Sequence, residues 1–328
     1  MAFKHNISTF WSRVGALILD CLILGIVGYG LGMAAEDFLV SLGVQGLLLG
    51  FAIAFLYFAV SNSELTNGQT IGKRILKIKA VDGSGHPLSM QKSVLRALIM
   101  LIPYFLLGYP IPGFESLSAP NLFKAAILGS ALLSIIVLYI ANTSSRQSLH
   151  DLLLGTYVVQ TQENEEISEA PKSGRTGVYV SLGLTAIALA VNTNFMLDDK
   201  SILNEYSDLI SEVEEIPGVV RVGSNRNTTT FVGGLGAEGT TTESFTLHLH
   251  VSELQKQLEP EESEIIKEAA RILLEAKPEF EKLNVISITV SRGYDIGIAS
   301  RNYTLGFTKQ PEEWLEMINS QTPMEGSR

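Results

Sequence analysis

The 328-residue chain has a single cysteine, Cys21. One thiol cannot close a disulfide within the chain, and it excludes a cysteine zinc cluster. Charge is scarce as well, at 18% of residues against about 25% in an ordinary soluble protein. Basic residues are outnumbered 34 to 24 by acidic ones and form no basic stripe, which excludes nucleic acid as a partner. No nucleophile stands at a spacing from a base that points to a triad, so the chain does not read as an enzyme. Cofactor and metal signatures are missing too. Gly234-Leu-Gly236-Ala-Glu-Gly239 fits GxGxxG by letter but precedes a strand instead of a helix. His248 and His250 share a strand face with no third ligand in view.

The scarcity of charge is uneven. Residues 1–195 hold 12 Lys/Arg and 11 Asp/Glu, whereas residues 196–328 hold 12 and 23. The mean hydropathy of +0.25 and the net charge of -10 therefore average an apolar, near-neutral half with an acidic half of soluble composition.

Long uncharged runs fill the apolar half. Between Arg13 and Glu36 the only charge is Asp20, and from Phe38 to Ser63 there is none. Further runs cover Ala97–Phe114, interrupted by Pro103, Pro110 and Pro112, then Ala125–Ser145 and Thr176–Leu197. About 20 apolar residues cross a hydrocarbon core of roughly 30 Å. The pattern predicts four spans and a fifth appended one, with the proline-rich third also compatible with a re-entrant helix. Lys and Arg gather before the first span, between the second and third, and after the fourth. That places the N-terminus in the cytoplasm and, with five crossings, the C-terminal half outside it. Gly28-xxx-Gly32 and Gly46-xxx-Gly50 let helices approach closely, within the bundle or in an oligomer.

Asp20 is the anomaly. It lies seven residues from Arg13, within about 20° on one helical face and about 10 Å further along the axis. An ionised carboxylate there costs up to ~3 kcal/mol, which a partner or a function must offset. Arg13, Arg96, Lys124 and the cluster Arg146-Gln-Ser-Leu-His150-Asp151 can supply the partner. Two readings stand: a proton- or cation-binding carboxylate, or an internal ion pair that fixes helix register.

The loop Asn67-Gly68-Gln-Thr70-Ile-Gly72-Lys73-Arg74 is no phosphate loop, since three residues instead of four separate its glycines and Arg74 follows the lysine. After it, Leu76, Ile78 and Ala80 alternate with Lys77 and Lys79, predicting a short strand whose lysine face meets anionic headgroups. Ser89 caps the helix that carries Lys92 and Arg96.

Four blocks in order carry a family resemblance: Phe10-Trp-Ser-Arg13 leading into a span with Asp20; Gly68-Gln-Thr-x-Gly72-Lys73-Arg74; Asp82-Gly83 followed by Leu88-Ser89 and Arg96; and Arg146-x-x-Leu149-His150-Asp151-Leu-x-x-Gly155-Thr156. Over residues 8–160 the chain resembles the RDD family of bacterial membrane proteins, named for one arginine and two aspartates, which map to Arg13, Asp20 and Asp151. The resemblance implies a helical membrane module, with cation/proton exchange as the activity suggested for some members.

The expected organisation is an RDD-like membrane domain over 1–160, a linker over 161–175, a fifth transmembrane helix over 176–197 and an acidic α+β domain with an antiparallel sheet over 198–328. In that domain, helices are predicted at Ile202–Glu214, Glu261–Ala276 and Pro311–Ile318, and strands at Val219–Gly223, Ser244–Val251, Val285–Ser291 and Ser300–Phe307. The chain thus reads as a multi-pass cell-membrane protein in contact with the lipid bilayer. As a translocator of ions or small solutes, by cation/proton exchange, it would use Asp20 and Asp151 as proton or cation ligands and Arg13 as counter-charge, with Arg96, Arg146 and His150 as further charge partners. As a non-transport anchor it would display an extracytoplasmic domain that binds a protein or envelope partner.

Overall fold

The computed structural model describes residues 3–111, 119–142, 145–168, 176–198, 206–231, 240–254, 259–276 and 278–319. They form two compact units, Met1–Asp198 together with Asp295–Ser300, and Asp199–Tyr294 together with Arg301–Arg328. The glycine-rich stretch Gly234–Gly239, which matches GxGxxG only by letter, lies outside the described residues, as do residues 202–205 of the predicted helix at Ile202–Glu214.

The first unit opens with strand β1 (Phe3–Ile7) and helix α1 (Phe10–Ser41). Thr9 caps α1 by accepting from Ser12 N at 3.2 Å. At 32 residues α1 is about 48 Å long, well beyond a bilayer core, and it kinks at Ala35. Helix α2 (Gly46–Ser61), the short α3 (Ile71–Ile75), strand β2 (Ile78–Val81), α4 (Met90–Leu107), α5 (Ala119–Ala141), α6 (Leu149–Leu154), strand β3 (Tyr157–Ser168) and α7 (Thr176–Asp198) follow. Among the described residues four helices are long and apolar enough to cross a membrane, at Phe10–Ser41, Gly43–Ser61, Met90–Leu107 and Pro120–Ile140. The third predicted run is one of them. It starts earlier than its apolar stretch, because Ser89 caps it, and carries Pro103 inside the helix. In α7 the apolar stretch that the description covers is the shorter Tyr179–Val191.

The buried faces follow helical spacing. Arg13, Ala16, Asp20, Leu24 and Gly28 line one side of α1; Gly46, Gly50, Ala54 and Phe58 do so on α2; Arg96, Ala97, Leu101 and Phe105 do so on α4. Leu24, Ala54, Phe58, Ala97, Leu101 and Phe105 pack as one apolar core. The opposite faces are also apolar, with Ile26 and Met33 both 72% exposed, a surface suited to hydrocarbon.

The glycine spacing has a use other than the predicted helix-to-helix contact. Segment 295–300 belongs to this unit and seats on those glycines: a Cβ on Gly50 would stand 1.5 Å from the Ile296 carbonyl oxygen, and one on Gly28 2.7 Å from Ala299 Cβ. Tyr104 Oη donates to the Gly297 carbonyl at 3.0 Å, and Ile298 packs on the apolar core.

A three-stranded sheet of order β1-β3-β2, antiparallel throughout, completes the unit. The sequence signalled only β2 of these, and β3 extends to Ser168 through residues read as linker. Ile78 is the third residue after α3 and Lys77 takes a left-handed φ of 53°, so the predicted alternation from Leu76 holds only from Ile78 onward.

The second unit contains α8 (Ser207–Glu214), β4 (Val219–Phe231), β5 (Thr240–Val251), α9 (Glu264–Ala276), β6 (Val285–Asp295), β7 (Ser300–Lys309) and α10 (Pro311–Asn319). Its sheet has the order β4-β5-β6-β7. The expectation of an antiparallel sheet is corrected at one pair: β4 and β5 run antiparallel, but β5 and β6 are parallel. The connection from β5 contains α9 and crosses over, which a parallel pair requires. Phe245, Leu247, Leu249 and Val251 point from β5 into a core that holds Ile266, Leu273 and the fully buried Trp314. His248 and His250 take the other face, where their Nδ1 atoms pair with Thr289 Oγ1 at 2.6 Å and Ser291 Oγ at 3.2 Å.

Candidate functional site

Asp20 is 1% exposed, and no ion pair among the described residues joins it to an arginine; the bonds around it come from α2 and from the start of α3 with its cap. Tyr57 Oη donates to its Oδ1 at 2.6 Å, the Gly72 amide to the same oxygen at 2.8 Å, and Thr70 Oγ1 to Oδ2 at 2.6 Å. All three partners donate, so both oxygens act as acceptors, the pattern of a carboxylate. Thr70 also caps α3 through Lys73 N at 3.2 Å, and the Tyr57 hydroxyl accepts from Ile71 N at 3.1 Å. The segment dismissed above as a phosphate loop is thus a cradle for one side chain. Gly68, at φ 72°, brings its backbone against Ala80, and Gln69 Nε2 donates to the Ile78 carbonyl at 3.0 Å.

Asp151, at the first turn of α6, is fully buried. Arg96 Nε reaches its Oδ1 at 3.0 Å, and Thr156 Oγ1 donates to the same atom at 2.7 Å. Arg13 Nη1 lies 3.7 Å from Oδ2, close enough for charge but not for a hydrogen bond. Burial alone would disfavour the carboxylate. Arg96, Arg13 and the Thr156 hydroxyl overcome that and hold Asp151 well below the usual carboxylate range. His150 goes the same way for the opposite reason: burial pushes its imidazole down to about 3, leaving it neutral. Its Nε2 therefore accepts from Arg96 Nη2 at 3.0 Å. Among the described residues Asp151 Oδ2 and His150 Nδ1 are buried with no hydrogen-bond partner.

Arg13 is tied down separately, donating from Nε to Ser8 Oγ at 2.7 Å, from Nη2 to the Val158 carbonyl at 2.8 Å, and from Nη1 to the Arg146 carbonyl. Of the predicted charge partners, Arg96 and His150 surround Asp151, and Arg146 enters through its backbone. Lys124 donates to the Tyr109 carbonyl, away from Asp20.

Lys73 stood in a quoted motif, but the sequence assigned it no role. It is 9% exposed, and its Nζ donates to Asn62 Oδ1, an oxygen fixed because Asn62 Nδ2 is spent on the Phe58 carbonyl at 2.8 Å. No ion pair among the described residues includes it. Burial, then the neighbouring Arg96 charge, pushes its ammonium well below the ordinary lysine range. Arg13, Asp20, Asn62, Lys73, Arg96 and Tyr139 line a cavity of about 30 Å³, enough for one or two waters. Asp20 and Asp151 thus occupy two distinct sets of bonds, joined by this cavity's charged wall.

Residues 7–155 match the family model described as RDD family. The chain carries an RDD family domain. The match ends at Gly155, just past Asp151, and so takes in Arg13, the cradle of Asp20, Arg96 and the α6 pair. The RDD domain is similar to the uncharacterised protein YckC of Bacillus subtilis strain 168, at 27% identity over 157 residues, 48% of this chain and 87% of that protein. No solved structure matches. Tyr57, Thr70, Gly72, Asn62 and Lys73 are the residues that sequence reasoning missed. Thr70, Gly72 and Lys73 stood inside a quoted block, and a search for partners of Asp20 among hydroxyls as well as cations would have reached Tyr57.

Proposed function

We propose that the RDD domain is a small-ion translocator that couples ion movement to proton movement, working through the charged cavity inside its bundle. The observation that supports this reading is the cavity wall: Arg13, Lys73 and Arg96 face one small space with Asp20. Burying charges is expensive, and a register-fixing ion pair needs only one of each sign. The surplus cation, Lys73, has a proton affinity weakened by its surroundings, as a proton carrier requires. Similarity to YckC over 87% of that protein fits a membrane domain that works without a large second domain. In this reading α7 is a fifth crossing, the N-terminus is cytoplasmic, and the acidic unit stands outside the cell membrane, where it engages a protein or envelope partner.

Purified full-length protein in liposomes should move protons in response to an ion gradient, and Lys73→Met, Asp20→Asn and Asp151→Asn should each reduce that flux. Absent flux, or flux indifferent to all three, sinks the reading and leaves the domain as an anchor. A reporter fused after Arg328 that is active only in the cytoplasm would overturn the topology.

A further inference from the structure

We infer that the cavity between α1, α3 and α4 is a binding site for a small monovalent anion of halide size, held by Lys73 and Arg96 in the field of Arg13. In its transport sense this rests on the translocator reading, and it names the ion. The wall carries three cations, whereas the carboxylates nearby are two. One of these, Asp151, is already held between Arg96 and Arg13. The other, Asp20, has both oxygens committed to the Tyr57, Thr70 and Gly72 donors. One positive charge is left over in a small space among apolar helices, and it calls for an anion or for loss of a proton.

The donors needed are present. Arg96 uses Nε on Asp151 and Nη2 on His150, and no described partner takes Nη1. Lys73 uses one of its three protons on Asn62. Arg13 spends its guanidinium on Ser8, Arg146 and Val158 and contributes field more than contact. A metal cation meets the wrong sign here, and no group of three or more His, Cys, Asp or Glu that could hold one occurs among the described residues. A volume of about 30 Å³, room for one or two waters, suits a halide better than the larger phosphate or sulfate.

Occupancy and protonation are then linked. The groups around Lys73 are Asp20 and Arg13 from α1, Asn62 at the end of α2, Arg96 from α4, Tyr139 from α5, and His150 and Asp151 from α6, with Tyr57 of α2 reaching the site through its bond to Asp20. With the cavity empty they leave the lysine poised to lose its proton, and an anion beside it restores the charged form. Anion and proton would enter and leave together, an electroneutral pair.

Calorimetric titration of the full-length protein in detergent tests this, with sodium chloride or bromide against sodium gluconate or sulfate at matched ionic strength. Chloride and bromide should bind, gluconate and sulfate should not, and halide affinity should fall as pH is raised. Lys73→Met should weaken halide binding by about tenfold or more, the worth of one charge-assisted hydrogen bond. Met100→Phe, which alters no charge but fills the cavity it lines, should do the same, covering the case in which the lysine variant fails to fold. Absence of a halide-specific signal in the unaltered protein overturns the site, as does full affinity in both variants. Proton flux that persists without halide and without halide binding overturns the site while leaving the translocator reading intact. Halide binding without any flux supports the site and removes that reading.

Discussion

Gly72 and Asp20 are fitted to each other: the glycine amide donates to the Asp20 carboxylate at 2.8 Å, and a Cβ placed on Gly72 would lie 2.9 Å from the same oxygen and 2.2 Å from the Ala16 carbonyl. The second distance is to backbone, which cannot move aside as a side-chain tip can. Gly72→Ala must therefore push α3 off α1 and break the bonds around Asp20. A loss of about 3 kcal/mol is expected, the upper end for overpacking. It should appear as a lower melting temperature in detergent, while Gly83→Ala, where a Cβ would meet its nearest neighbour at 3.9 Å, should leave that temperature near its starting value.

The pair Arg96 and Asp151 invites a double-mutant cycle. Removing one partner strands a fully buried charge, so Arg96→Met or Asp151→Leu alone should cost about 3–5 kcal/mol. The double variant should recover part of that, because Arg13 alone is left without its carboxylate. Additive single losses, measured by denaturation in detergent, would show that the 3.0 Å contact carries no coupling.

How far the sequence discloses this site depends on the range of each interaction. The four apolar helices were legible because every turn of each carries the signal, and so was the RDD resemblance, because Arg13, Asp20 and Asp151 stand in ordered blocks. The contact between Arg13 and Asp151 joins residues 138 positions apart, which no periodicity encodes. Helix α3 is five residues long, too short to show a helical period, so the Thr70 cap and the Gly72 approach passed as loop chemistry. Strand β3 was obscured by its glutamates, which read as a solvated linker although the backbone pairs with β1. In the acidic unit the alternation from Phe245 to Val251 gave the strand and its buried face, but the parallel neighbour depends on where α9 crosses, which alternation does not report.

Acid should unfold the RDD domain in two stages. His150 is neutral when folded, with its proton affinity depressed to about 3 from an ordinary value near 6.5. A group whose folded value is depressed binds protons more readily when unfolded, so stability is complete above about 6.5 and declines as pH falls toward 3. Asp151, depressed from 3.8, extends the loss at still lower pH. The slope across the histidine window should be about 1.4 kcal/mol per pH unit. His150→Gln should flatten it while leaving the lower stage, as read by chemical denaturation at stepped pH.

Gly50 and Gly30 separate the two things a glycine in an apolar helix can do. A Cβ on Gly50 would stand 1.5 Å from the Ile296 carbonyl oxygen, whereas one on Gly30 meets nothing within 4 Å. If these glycines served lipid-facing flexibility or helix propensity alone, Ala at either site would gain up to about 1 kcal/mol. Contact with the 295–300 segment predicts opposite signs. Gly30→Ala should be neutral or stabilising. Gly50→Ala should lower the melting temperature and expose the 295–300 segment to protease, because Ile296 cannot stay where it is and Ile298 leaves the apolar core with it. Equal responses at the two positions would mean that the segment does not rest on α2 in the protein as it exists in a membrane.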